Sequence, residues 1–97
     1  MRVYELLMTG AKSAMTEKQL REIAGMSKRE FRDAVRHERL AGIPICSRTQ
    51  TDSIGKAGYY MPVNDDDIRN TVRQLRSRER EIRRIRQALE KACQKSE

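Results

Sequence analysis

The sequence predicts a mainly α-helical α+β chain, and three observations carry that expectation. Two short amphipathic segments, 17–24 and 28–41, each open on a capping motif and lie three residues apart. Two β-prone stretches, 43–48 and 58–63, flank a polar loop. A last segment, from 65 to about 94, runs without Pro or Gly and repeats apolar residues at helical spacing.

Residues 2–9 read as a short first helix burying Val3, Leu6 and Leu7. The next start is Thr16-Glu17-Lys18-Gln19, a capping box in which Thr16 accepts from the backbone and Gln19 reaches back. Met15 and Leu20 are spaced around it as a hydrophobic staple. This helix is expected to bury Leu20, Ile23 and Ala24 and to end at Gly25, which tolerates a left-handed conformation. Ser27-Lys28-Arg29-Glu30 repeats the box, with Met26 and Phe31 as its staple, and the helix closes at Gly42. Two helices joined by so short a turn have helix-turn-helix spacing.

Pro44 excludes a helix interior from Ile43-Pro44-Ile45-Cys46-Ser47-Arg48. Gly58-Tyr59-Tyr60-Met61-Pro62-Val63 supplies a second strand, and the polar 49–57 stretch, with Gly55, joins the two as a hairpin. Tyr59 and Tyr60 alternate faces, so one packs inward and the other stays half exposed. Three helices followed by a hairpin make a winged helix-turn-helix over residues 1–63, with the hairpin as the wing.

Residues 64–97 form a long basic C-terminal helix. Asn64 caps it, and Asp65, Asp66 and Asp67 face the positive end of its dipole. Ile68, Leu75, Ile82 and Leu89 recur every seven residues, with Val72, Ile85, Ala92 and Cys93 in adjacent columns. Glu79 and Arg86 interrupt the seam. Ile68, Val72 and Leu75 are expected to pack on the chain's own core. Ile82, Ile85 and Leu89 extend past it and call for a partner, most economically a second copy.

Composition narrows the function. There is no Trp, one Phe and three Tyr, so the core rests on aliphatic residues. The formal charge is +7, and it is unevenly placed. Residues 1–67 hold eleven basic and ten acidic side chains, whereas residues 68–97 hold ten basic and four acidic ones. Such an excess favours an anionic partner: DNA, RNA or an acidic protein. Cys46 and Cys93 are too few and too far apart for a metal site or a disulfide framework, and two reduced thiols fit a cytoplasmic protein. The opening MRVYELLMTG lacks the apolar run of a signal peptide, and no stretch is long enough to span a bilayer. No nucleophile–base pair, glycine-rich phosphate loop or paired carboxylates appear, so neither enzymatic activity nor a cofactor is expected.

In the helix over 28–41, Phe31, Ala34 and Val35 are expected to face the core. Arg29, Arg32 and Arg36 follow three-and-four spacing along another face, with Lys28 and Arg39 beside them. Arginine's planar fork can donate twice to guanine, and the amides near Ser27 and Lys28 can meet a phosphate. Glu30, Asp33 and Glu38 share the helix and can instead pair with these arginines in a solvated face. In the wing, Arg48 and Lys56, with Thr49, Gln50, Thr51 and Ser53, suit phosphate oxygens, though they are equally ordinary in a loop. His37 has no second ligand nearby and reads as a surface or packing residue. Along the last helix, Arg69, Arg73, Arg76, Arg80, Arg83 and Arg84 form a possible basic stripe for a phosphate backbone or an acidic protein partner.

The run MTEKQLREIAGMSKREFRDAVRHERLAGIPICS, then GYYMP, then the acidic cap and RQLRSREREIRRIRQAL resembles small winged-helix proteins encoded by phages and prophages of Gram-positive bacteria. It also looks like the N-terminal winged helix of the biotin repressor family, where a Gly-Tyr strand likewise closes the wing. That family's ligase domain has no counterpart in these residues. The resemblance implies a DNA-binding fold, with Lys28, Arg29, Arg32 and Arg36 at the recognition positions. Glu38 departs from it, because an apolar residue is common at that point. Two functions follow as expectations: a homodimeric DNA-binding regulator of transcription, or a phage-encoded interaction module that inhibits or adapts host machinery through an acidic protein partner.

Overall fold

The computed structural model describes residues 2–95, a mainly helical chain with one small antiparallel sheet. Helix α1 spans Glu17–Ala24, α2 spans Lys28–Leu40 and α3 spans Asp65–Lys95. Strands β1 (Cys46–Arg48) and β2 (Gly58–Tyr60) pair antiparallel, Cys46 opposite Tyr60 and Arg48 opposite Gly58.

The helix starts follow from local chemistry. The Thr16 hydroxyl accepts from the Gln19 amide at 3.1 Å, while the Gln19 side chain accepts from the Thr16 amide at 3.0 Å. Ser27 and Glu30 repeat the exchange at 3.1 and 3.2 Å. Each exchange satisfies amide donors that a helix start leaves without partners. Gly25 ends α1 in the left-handed region at φ 66°, where a Cβ would be strained. Asn64 accepts from the Asp67 amide, and the Asp67 carboxylate reaches back to the Val63 amide at 2.9 Å.

The first helix is not formed as expected. Only Val3–Leu6 coil, as a 3-10 turn, and Leu7 is already extended. The reason is competition from the sheet. Met61 donates to the Met8 carbonyl and accepts from Gly10, while Met15 and Tyr59 exchange both backbone bonds. The segment from Met8 to Met15 therefore runs along the far side of β2, interrupted by a second 3-10 turn at Ala11–Ser13. The strands are also shorter than 43–48 and 58–63, beginning after Pro44 and ending before Pro62, neither of which has an amide to donate.

Val3, Leu20, Phe31, Val35 and Ile45 form the main core, and Ala14, Cys46 and Tyr60 a second cluster against Ile68. Burying one Leu, Val or Phe side chain stabilises by about 1.5–3 kcal/mol, so these few residues carry much of the fold. Tyr60 is buried and Tyr59 half-buried, edge-on to Phe31 with ring centroids 5.2 Å apart. Gly55 is buried because the loop presses on the second 3-10 turn: a Cβ there would lie 2.5 Å from that of Ala11.

Three burial expectations are corrected. Ile23 is 55 % exposed, since Leu20 and Ala24 take the inner face of the short α1. Val72 and Leu75 remain 39 % and 41 % exposed instead of packing in the core. The buried residue at that level of α3 is Thr71, whose hydroxyl accepts from the Ser47 amide at 3.2 Å and donates to the Asp67 carbonyl. A backbone donor on β1 thus fixes the rotation of α3. Beyond Leu75 every described side chain of α3 up to Cys93 is exposed, and the molecule measures 52 × 30 × 25 Å. Among the described residues no helix is long and apolar enough to cross a membrane.

Candidate nucleic-acid interface

Helix α2 presents Lys28, Arg29, Arg32 and Arg36 to solvent and turns Phe31 and Val35 inward. Of the acids that share the helix, Asp33 stays exposed, whereas Glu30 and Glu38 are engaged within the fold. Glu30 is engaged in the cap, and accepting the Ser27 amide and hydroxyl holds its carboxyl below the usual carboxylate range. Glu38 is buried: its two oxygens accept from the Val3 amide at 2.9 Å and the Tyr4 amide at 2.8 Å. The residue that interrupted the apolar pattern therefore clamps the N-terminal turn onto α2. The ion pair that α2 forms runs from Arg32 to Glu17 on α1, at 3.3 Å.

Arg39 lies half-buried at the end of this face. It donates to the Ile45 carbonyl at 3.0 Å and the Ser47 hydroxyl at 3.3 Å, tying α2 to the strand entrance. Burial draws its pKa down, Tyr59 and Cys46 oppose that, and the charge of Arg78 adds to it. Guanidinium remains charged at any ordinary pH.

Arg78, from the long helix, completes the arrangement. Arg32, Arg36, Arg39 and Arg78 line one open cleft of about 570 Å³ with Val35, Leu40 and Tyr59. Burial pushes the Tyr59 hydroxyl above its ordinary pKa and Glu17 adds to the rise, while Arg39, Arg32 and Arg78 pull it back. Three guanidinium groups thus act on one phenol. The lining holds four arginines and no carboxylate, which gives the cleft a positive potential, partly offset where Arg32 pairs with Glu17. Arg78 lies outside the basic stripe that the spacing of the last helix defines. Its signal is phase: it lies half a turn from Arg69, Arg73, Arg76 and Arg80.

Those four arginines line a second groove with Ile68 and Val72, so the stripe exists as one face over that length. Arg69 pairs with Asp66 at 2.9 Å, and Arg84 with Glu81 at 3.7 Å. Arg76, Arg80 and Arg83 form no ion pair among the described residues.

The other expected contacts are placed differently. Ser27 acts as the α2 cap, with its amide and hydroxyl both engaged by Glu30. Arg48 has a side chain only 15 % exposed and binds Asp52 at 2.8 Å, leaving its Nε buried without a hydrogen-bond partner among the described residues. It lines a cleft with Asn70, Arg73 and Gln74 of α3, apart from the α2 arginines. Asp52 also accepts from the Ile54 and Gly55 amides, and Thr51 from the Ala57 amide, so both shape the loop. Lys56, Thr49, Gln50 and Ser53 stay exposed along the 49–57 loop. His37 is exposed, and no group of three or more potential metal ligands occurs among the described residues.

No protein-family model, curated protein or solved structure matches this chain.

Proposed function

We propose that the chain is a homodimeric DNA-binding protein of the winged helix-turn-helix type, with α2 as recognition helix and the 49–57 loop as the wing. The setting inferred from the sequence resemblance is a cytoplasmic phage or prophage regulator of transcription. One observation carries the reading. Arg32, Arg36, Arg39 and Arg78 converge on a single open cleft, while Glu30 and Glu38 of the same helix are engaged elsewhere. Net positive charge beside a solvent-exposed helix suits a sugar–phosphate backbone, and the outer arginines Arg29, Arg32 and Arg36 suit guanine edges in the major groove. Arg69, Arg73, Arg76, Arg80, Arg83 and Arg84 extend the positive surface, and Ile82, Ile85 and Leu89 serve dimerisation.

The test is fluorescence anisotropy of a labelled random-sequence duplex at several salt concentrations. The expected result is binding whose logarithm falls with log salt by about 0.9 per phosphate neutralised. On a selected site, Arg32→Ala and Arg36→Ala should each weaken binding by about 1–3 kcal/mol, the worth of one arginine–guanine pair. Absence of duplex binding at low salt refutes the proposal. It would favour the interaction module, with the exposed Leu40 beside the same arginines as a surface for an acidic protein.

A further inference from the structure

The distal half of α3 leaves the body of the molecule with Ile82, Ile85 and Leu89 at 59 %, 53 % and 66 % exposure. Its seam has two columns: Ile68, Leu75, Ile82 and Leu89 in one, Val72, Glu79, Arg86 and Cys93 in the other. Two seam positions are charged, with opposite sign, seven residues apart. We infer that two copies pair through α3 in antiparallel orientation, with the two-fold axis between Glu79 and Arg86, so that Glu79 of each copy neighbours Arg86 of the other. This deepens the homodimer reading above and rests on it.

Charge decides the orientation. Parallel, in-register pairing sets each seam residue against its own copy, so Glu79 opposes Glu79 and Arg86 opposes Arg86. It also brings Arg78 of one copy beside Arg83 of the other across the flank. Antiparallel pairing sets each column against the other, so neither like-charge layer forms, and Glu79 of one copy neighbours Arg86 of the other along one side of the seam. Glu90 of one copy comes level with Arg76 of the other, adding two attractive flank contacts, and the like-charge contact that remains on that flank is Arg83 against Arg83 at the axis. Opposite charges specify partner orientation in helix pairs, and like charges exclude the alternative.

The apolar residues agree. Ile82 meets Ile82 at the two-fold axis, and Leu75 lies beside Leu89. Val72 neighbours Cys93 of the other copy along one side of the seam. The overlap from 72 to 93 spans roughly 33 Å at 1.5 Å per residue. At its ends the helix of the second copy lies over an apolar groove of about 240 Å³, lined by Ile43, Pro44, Ile45, Val72 and Leu75. That accounts for the two core-proximal residues left two-fifths exposed. Arg73, Arg80 and Arg84 stay on the outer face of the pair, open to a duplex.

The experiment uses the full chain with Val72→Cys added to the native Cys93, oxidised with diamide and resolved without reductant. On one helix these positions are roughly 32 Å apart, so a 72–93 disulfide forms only between copies. The expected result is at least tenfold more cross-linked dimer than the unaltered chain gives, with the 72–93 bond identified by mass spectrometry. A Cys93–Cys93 bond in the unaltered chain, with no gain from Val72→Cys, overturns the antiparallel orientation and leaves the dimer standing. Charge reversal provides an independent arm at exposed positions. Glu79→Arg and Arg86→Glu should each raise the dimer dissociation constant at least tenfold, and the double variant should restore it. Parallel pairing exchanges like for like at these layers, so unchanged single variants also overturn the inference. A monomer at tens of micromolar by sedimentation velocity refutes the homodimer reading itself.

Discussion

Replacing Glu38 by Ala is the most informative test of how this fold is held. The carboxylate is buried and accepts two backbone amides, Val3 at 2.9 Å and Tyr4 at 2.8 Å. Hydrogen bonds to a charged group contribute about 1.5–3 kcal/mol each, and a buried donor left without an acceptor costs about 1–3 kcal/mol. Val3 is fully buried, so its amide bears the whole penalty, whereas the Tyr4 amide is partly reached by water. Two such bonds make the expected loss about 3–6 kcal/mol, a large fraction of the roughly 5–15 kcal/mol that holds a domain together. Urea unfolding followed by circular dichroism measures it directly. Hydrogen exchange at the Val3 and Tyr4 amides should quicken by more than the global loss explains. Glu38→Leu separates this account from simple core filling. If the position only needs volume, Leu restores stability; if it needs an acceptor, Leu is as damaging as Ala. Stability of the Leu variant within about 0.5 kcal/mol of the unaltered chain would refute the reasoning.

Thr71→Val keeps shape but removes the acceptor of the Ser47 amide, and should cost about 1–3 kcal/mol by urea unfolding. Gly55→Ala forces a methyl against Ala11 and should cost about 1–3 kcal/mol through overpacking, read as a lowered Tm. Arg78→Ala, at an exposed position, should leave stability unchanged and lower the salt slope of duplex binding by about 0.9. An unaltered slope removes Arg78 from the interface. The Glu30 and Asp52 carboxyls are both held below their ordinary values, chiefly by backbone amides of Ser27 and Ile54 respectively. A lowered folded pKa means stability that is fully present above the unfolded value of about 4 and lost as pH falls through the folded one. Glu30→Gln and Asp52→Asn should therefore flatten the acid limb of a Tm-versus-pH curve and leave its shape near neutrality unaltered.

What could be read in the sequence was local. Thr16 with Gln19, Ser27 with Glu30 and Asn64 with Asp67 sit three residues from their partners, and each helix begins where those pairs place it. The arginine stripe and the exposed distal apolar face likewise follow from helical period alone. What escaped depends on partners far along the chain. Glu38 looked like a break in an apolar pattern because its amides lie 35 and 34 residues away. Thr71 displaced Val72 from the core through a bond 24 residues distant. The N-terminal helix was cut short by pairing with Met61, which no propensity of residues 2–9 encodes. Arg78 joined the α2 cleft because Thr71 fixes the rotation of its helix, and helical phase alone does not say which side faces the body.

The position of β2 between β1 and the 8–15 segment also bears on how the chain acquires its structure during synthesis. A nascent chain that has reached only the end of α2 already contains both α1 and α2. It lacks Tyr60 for the second core cluster and the backbone partners of Met8, Gly10 and Met15. Closing those contacts joins residues some fifty positions apart, and such non-local pairing is slow to nucleate. The 1–57 fragment should therefore emerge from the ribosome as fluctuating helices and gain cooperative protection only after Met61 has cleared the exit tunnel.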